Sequence, residues 1–118
     1  GYGGTMSEVN SYIGCVQMND IDVLLEKQKQ NAIKWDERLD YCKLNNRKEI
    51  EPNYWVYGIL SENKISDMLN FRGKGFYASG VHLPNNYYSV FGSKEKLPGV
   101  QEFYHKFMAL PSGWWFEQ

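Results

Sequence analysis

The residues best suited to catalysis are two histidines and one glutamate in the second half of the chain. His82 and His105 could move protons near neutral pH. Glu102 stands three residues before His105, a spacing that puts both on one face of a helix. Arg72 and Lys74 alternate with glycines, whose backbone amides could approach a phosphate. Such a set would suit a small enzyme acting on RNA or a nucleotide, and we hold this as an alternative function because the spacing does not require one shared cleft.

Established catalytic and cofactor motifs are absent from the sequence. It contains no G-x-S-x-G, H-E-x-x-H, C-x-x-C, G-x-G-x-x-G or P-loop pattern. The single E-x-x-H is too little for a di-iron site, which uses two such motifs and two further glutamates. We therefore expect no cofactor and no metal.

Aromatic residues are unusually abundant, at 16% of the chain. Several stand in adjacent pairs, and neighbours in a strand point to opposite faces of a sheet. Either helices cover both faces, or an exposed aromatic patch remains as a binding surface. With the two cations of the glycine turn, the candidate binding residues are Tyr54, Trp55, Tyr57, Tyr77, Tyr87, Tyr88, Trp114, Trp115, Arg72 and Lys74.

The leading hypothesis from these features is a non-enzymatic protein-binding module. It would act through the aromatic surface, as inhibitors or immunity-type proteins of microbial or viral origin do, with another protein as partner. A homodimer formed through the same surface is equally compatible. Carbohydrate or small-ligand binding on the aromatic face is a third, weaker hypothesis.

Composition limits the other partners and the compartment. The 118 residues carry a formal net charge of −1, so nucleic acid is not expected as a partner beyond a local phosphate contact. No apolar run reaches the ~20 residues that span a bilayer, and no signal peptide is recognisable. Cys15 and Cys42 are interpreted as reduced, partly buried thiols of a cytoplasmic protein, with a single disulfide in an exported protein as the alternative.

The apolar spacing predicts the elements that would position these residues. One long amphipathic helix is expected from about Asp20 to Leu44. Residues 9–16 could form a strand or lead into that helix. Residues 54–60 form the best strand candidate, central and buried on both faces, with Gly58 marking a bulge or a close approach by another element.

The second half of the chain predicts two further helices and more strands. A second helix is expected after Ser61, with Ile65, Met68 and Leu69 on its apolar face. Residues 76–83 and 87–91 are expected to pair as a hairpin. A third helix should begin at Pro98, with an apolar face formed by Val100, Phe103, Phe107 and Met108. Residues 114–116 would be a last strand or a packed tail.

Together these elements predict an α+β domain over residues 6–118. We expect a small, mostly antiparallel sheet of about four to five strands packed with one long and two shorter helices. Residues 1–5 precede Met6 and are interpreted as an expression remnant or a flexible N-terminus.

Overall fold

The computed structural model describes residues 4–44, 49–92 and 95–117, without the Cys42 side chain. The regular elements, in chain order, are α1 (Glu8–Gln17), α2 (Ile21–Arg38), β1 (Cys42–Lys43), β2 (Val56–Leu60), α3 (Lys64–Gly73), α4 (Pro98–Lys106) and β3 (Phe107–Pro111). The chain is therefore α+β, as the sequence predicts. Residues 1–3 of the N-terminal segment interpreted as an expression remnant or a flexible N-terminus lie outside the described residues.

The three described strands form one antiparallel sheet in the order β1-β2-β3. Its centre is β2, whose middle residues Tyr57, Gly58 and Ile59 are buried. This confirms the central, two-sided strand that the run of aromatic and β-branched residues predicts. The close approach expected at Gly58 is also present, because a Cβ there would lie 2.9 Å from the Phe107 ring.

The expected four to five strands are not found among the described residues. Residues 76–83 contribute only a single bridge between Ser79 and Ala109, and residues 85–87 and 89–91 form short 3₁₀ turns instead of a hairpin arm. The left-handed backbone of Val81 and the fixed φ of Pro84 explain this, because neither continues a strand pairing.

The strand β3 begins with residues that the apolar spacing assigns to the third helix. That helix begins at Pro98 as predicted, but it ends at Lys106. The next five residues pair along the whole length of β2 and bury Met108, Ala109 and Leu110. A short apolar run fits a helix or a strand equally well by its pattern, so pairing with a distant strand decides.

The helix α2 covers the sheet with Gln28, Asn31, Ala32 and Trp35. It ends at Arg38, six residues before the predicted end, because Leu39 is already extended and leads into β1. The Trp35 indole is the centre of the core: its Nε1 donates to the Pro111 carbonyl at 2.8 Å. Around its ring pack three phenylalanines, Phe71, Phe76 and Phe116.

The helix α3 turns a different face to the core than its sequence suggests. Phe71 is buried and Met68 packs against the core cluster, whereas Ile65 and Leu69 are exposed. The helix starts at Lys64 after an N-cap at Asn63. Ser61 lies two residues before this N-cap, and its Oγ accepts the Asn63 amide at 2.9 Å.

Residues 8–17 form the separate helix α1 and not a strand, with the Ser7 side chain capping its start. The thiol of Cys15 on this helix is free and exposed, so the burial predicted for it is wrong. No helix among the described residues is both long and apolar enough to cross a bilayer.

Candidate functional site

Among the described residues, two other than glycine adopt left-handed backbone conformations, Tyr54 at φ 50° and Val81 at φ 61°. A β-branched or bulky residue in this region is a strained outlier, and such strain concentrates at functional sites. Each of the two directly precedes one member of a facing ring pair. The rings of Trp55 and His82 lie 6.4 Å apart between centroids, inclined by only 25°. The strained backbone therefore marks one place, where an exposed indole meets an exposed imidazole.

The His82 segment is held against β3 by backbone and side-chain contacts. Ser79 exchanges two hydrogen bonds with the Ala109 backbone, at 3.1 and 2.8 Å. Its Oγ then accepts the Val81 amide at 3.4 Å, which closes a turn of the kind that serine often forms. His82 thus follows a fixed turn.

Lys64 packs against the same turn. Its Nζ donates to the Tyr104 carbonyl at 2.6 Å and lies 4.6 Å from the centre of the Tyr104 ring. A Cβ added at Gly80 would stand 3.0 Å from this Nζ, so the backbone and the amine are in close contact. Burial lowers the pKa of Lys64 below its ordinary value. The amine thus connects α3 with α4 and with the turn.

Trp55 is positioned by a second turn, at the start of β2. The Asn53 side chain accepts the Trp55 amide at 3.1 Å, an Asx turn that leads the chain through the left-handed Tyr54. The Asn53 carbonyl in turn accepts Nε2 of Gln28 at 2.7 Å. Because Gln28 is nearly buried on α2, this contact ties the Trp55 turn to the most regular element of the fold.

A third aromatic wall comes from the C-terminal turn, where Trp115 folds back over Gly113. A Cβ at Gly113 would overlap the Trp115 ring, so only glycine fits there. The turn is fixed by Asn31 of α2, whose Nδ2 donates to the carbonyls of Gly113 and Phe116 at 3.0 and 2.8 Å.

These three segments and Tyr77 enclose a cleft of about 480 Å³, hereafter the aromatic cleft. It is lined by Ala109, Leu110 and Pro111 of β3 and by four residues with aromatic rings, Trp55, Tyr77, His82 and Trp115. Arg72 supports Tyr77 from outside the cleft, with its guanidinium 5.5 Å from the ring centre. No lysine or carboxylate is among the described residues that line it. A neutral, apolar cleft with one histidine suits a ligand with an apolar face and a few hydroxyl groups.

The predicted acid–base set is not assembled in one place. His82 lines the aromatic cleft, and His105 lies in another depression, beside Lys64. Glu102 lies in a third groove, where its carboxylate pairs with Lys106 at 3.1 Å. The E-x-x-H motif is therefore a surface pair on α4.

The predicted phosphate turn is not assembled either. Nε of Arg72 donates to the Ala78 carbonyl at 2.8 Å, and Lys74 is exposed at the C-cap of α3. The predicted turn over residues 72–75 is present only in its second half, because Arg72 and Gly73 still belong to α3, and Gly75 has φ 89°.

The predicted aromatic surface is divided over the molecule. Of its members, Trp55, Tyr77 and Trp115 share the aromatic cleft. Tyr57 is buried in the core, while Tyr87 packs edge-on against Tyr104. The remaining exposed members are Tyr88 and Trp114, neither of which lines the cleft. Two turns, at residues 53–55 and 79–82, place Trp55 and His82 at the cleft, and no residue pattern in the sequence marks them.

A groove of about 800 Å³ runs between the end of β2 and α4. Its lysine, Lys106, is paired with Glu62 at 2.8 Å as well as with Glu102, and these contacts raise the pKa of Lys106. Among the described residues no three His, Cys, Asp or Glu side chains are grouped to hold a metal ion.

Neither a family model nor a curated protein matches the sequence of this chain. Solved structures do match. The chain is similar to the sugar aminotransferase CalS13 from Micromonospora echinospora, with 25% identity and a TM-score of 0.85 over all of this chain and 33% of that one. It is also similar to AtS13 from Actinomadura melliaura, with 24% identity and a TM-score of 0.83 over 96% of this chain and 32% of that one.

A third similar structure is Helicobacter pylori PseC, an aminotransferase involved in the biosynthesis of pseudoaminic acid. It shares 20% identity and a TM-score of 0.78 over 99% of this chain and 35% of its own. This chain therefore spans about a third of the length of the solved chains that it matches.

These similarities correct the function predicted from the sequence. The hypothesis of a non-enzymatic binding module, an inhibitor or an immunity-type protein, is wrong, because the fold is shared with part of the aminotransferases. The alternative of an RNA- or nucleotide-acting enzyme is not supported either, since its acid–base residues lie in separate depressions. The fold is an enzyme-related one.

Proposed function

We propose that this chain supplies one third of a sugar aminotransferase, and that the aromatic cleft contacts the sugar. The observation that carries the proposal is the match to CalS13, which extends over the whole of this chain. The rest of the enzyme would come from polypeptide equivalent to the part of CalS13 that this chain does not match. We also propose the cytoplasmic location expected from the sequence, whose two cysteines do not make a disulfide framework.

The aromatic cleft has the chemistry that a sugar requires. A sugar ring presents C–H groups on its faces and hydroxyl groups around its edge. The rings of Trp55 and Trp115 offer flat apolar surfaces for such a face. His82 offers a nitrogen that can donate to or accept from one hydroxyl group. The turns at Tyr54 and Val81 fix the positions of the Trp55 and His82 rings before a ligand binds. Binding therefore costs little conformational entropy at these two side chains.

An aminotransferase also needs a cofactor. Pyridoxal phosphate supplies the electron sink for amino transfer, and proteins hold it through a lysine Schiff base and a carboxylate at the pyridine nitrogen. The clefts described above do not fit such a site. The aromatic cleft lacks both groups, Lys106 is held by two glutamates, and Lys64 is covered by Tyr104. We assign the cofactor to the polypeptide that completes the enzyme.

The proposal is tested in a chimera in which this chain replaces the matched third of CalS13. We expect the chimera to transfer an amino group to the sugar substrate of CalS13. Trp115→Ala and His82→Ala should each raise KM at least ~10-fold, the effect of losing about 1.4 kcal/mol of contact with the substrate. Tyr88→Ala, an exposed ring outside the cleft, is the matched control. A folded chimera without activity, or cleft variants that behave like the control, would contradict the proposal.

The cofactor assignment is tested on the 118-residue chain alone. Mixed with pyridoxal phosphate, it should show the absorbance of the free aldehyde, and reduction with tritiated borohydride should leave no stoichiometric label on any one lysine. Stoichiometric labelling of one lysine would show that the chain holds the cofactor by itself, against our assignment.

A further inference from the structure

The helix α1 carries an apolar stripe that the described chain leaves uncovered. Val9, Tyr12, Ile13 and Val16 follow the spacing i, i+3, i+4 and i+7, which places them on one face. All four are exposed, Val9 by 68% and Tyr12 by 72%, and no residue of α1 is buried. A helix usually turns such a stripe toward a core, so this face fits a surface that this chain does not provide.

The dimensions of the chain agree with an uncovered element. Its radius of gyration is 17.4 Å, whereas a compact domain of this length has about 13.5 Å. The helix α1 continues through the 3₁₀ turn Met18–Asp20 into α2, but none of its own residues is buried. The apolar stripe therefore has no packing partner among the described residues.

We infer that the α1 stripe docks on a partner domain, namely the part of the aminotransferase fold that this chain does not match. This inference rests on the proposed function. The match to CalS13 covers all of this chain, α1 included, and the matched structure continues for about twice this length again. The partner surface should be apolar and uncharged, because Glu8 is the only charged residue between Ser7 and Met18.

A second copy of this chain fits the stripe less well. Ten residues of helix are about 15 Å long and about 10 Å wide. A stable interface buries about 800 Å² on each partner, several times the footprint of this helix. Self-association through α1 alone would thus be too small to persist, whereas a linked domain needs only to cover the stripe.

The test follows hydrogen exchange of the α1 amides in the 118-residue chain and in the CalS13 chimera. We expect fast exchange in the chain alone and at least ~100-fold slower exchange in the chimera, as for a helix packed in a core. Val9→Lys with Ile13→Lys should restore fast exchange in the chimera. The control is Asn10→Lys, which adds one charge at nearly the same distance from the helix start but on another face, and should leave exchange slow.

Three results would overturn the inference. The first is a folded chimera in which α1 exchanges as fast as in the chain alone, or in which stripe and control variants behave alike. The second is a chimera that fails to fold with the wild-type stripe, because the stripe would then not fit that domain. The third is a dimer of the chain alone, seen by light scattering, in which α1 is protected, since a second copy would then be the occupant.

The same chimera separates this inference from the proposed function. A chimera with protected α1 but no amino transfer contradicts the function and leaves the docking intact. An active chimera with an unprotected α1 contradicts the docking and leaves the function intact.

Discussion

At the scale of single residues, the site depends on backbone conformations that its residues disfavour. A left-handed residue other than glycine costs about 1–2 kcal/mol, so Val81 at φ 61° stores strain. The strain is maintained because Ser79 anchors one side of the turn to β3 and Lys64 packs beneath it. Tyr54 also has a left-handed backbone, which the Asn53 turn holds in place.

Val81→Gly should separate stability from function. Glycine adopts the left-handed conformation without strain, so we expect a free energy of unfolding that is unchanged or higher by up to about 1 kcal/mol. The looser turn should weaken sugar binding in the chimera. Urea denaturation and KM measure the two effects. Gly75→Ala, at φ 89°, is the converse control and should destabilise by about 1 kcal/mol. A clear loss of stability in Val81→Gly would contradict the strain.

The buried tyrosine of β2 predicts a loss of stability in alkali. Burial, and then the hydrogen bond from its hydroxyl to Asp36 at 2.7 Å, raise the pKa of Tyr57 above its ordinary value. The unfolded chain therefore ionises this group at a lower pH than the folded chain does. Its contribution to stability is complete below pH ~10 and is lost as the pH rises toward the folded pKa.

Tyr57→Phe should thus cost about 1 kcal/mol near neutral pH and reduce the alkaline loss. The measurement is urea denaturation from about pH 8 to about pH 11. Tyr12→Phe, on the exposed face of α1, is the control and should follow the wild type. Parallel curves for wild type and Tyr57→Phe would show that this hydroxyl does not cause the pH dependence.

At the scale of elements, the pairing of β2 with β3 depends on a glycine. The side chains of Phe107 and Leu44 close over Gly58, at 2.9 and 3.1 Å from a hypothetical Cβ. Gly58→Ala should therefore destabilise by about 1–3 kcal/mol through overpacking. Gly14→Ala is the matched control, because nothing lies within 4 Å of its Cβ position on α1, and alanine favours the helix by about 1 kcal/mol. Calorimetry of both variants gives the comparison, and equal effects would contradict the packing.

At the scale of the whole molecule, the extended shape should be visible in solution. Small-angle X-ray scattering of the 118-residue chain should give a radius of gyration near the 17.4 Å of the structure, well above the ~13.5 Å of a compact domain. The Val9→Lys and Ile13→Lys variant should scatter alike, since its side chains contact no core. A monomeric value near ~13.5 Å would mean that α1 folds back on the chain.

Elements whose patterns are long or chemically unambiguous could be predicted from the sequence. The helix α2 follows from apolar residues at steps of three and four, and β2 from a run of aromatic and β-branched residues. Pro98 predicted the start of α4. These signals are local, because they depend on residues within one or two turns of each other.

The strand β3, the aromatic cleft and the uncovered face of α1 depend on contacts between distant parts of the chain. Residues 107–111 become a strand because β2 lies beside them, a contact about fifty residues away along the chain. Trp55 and His82 meet because two residue types that disfavour a left-handed backbone adopt it, and no residue pattern predicts that. A pairing or a cleft depends on which distant segments meet in space, and that depends on the packing of the whole chain rather than on the local pattern.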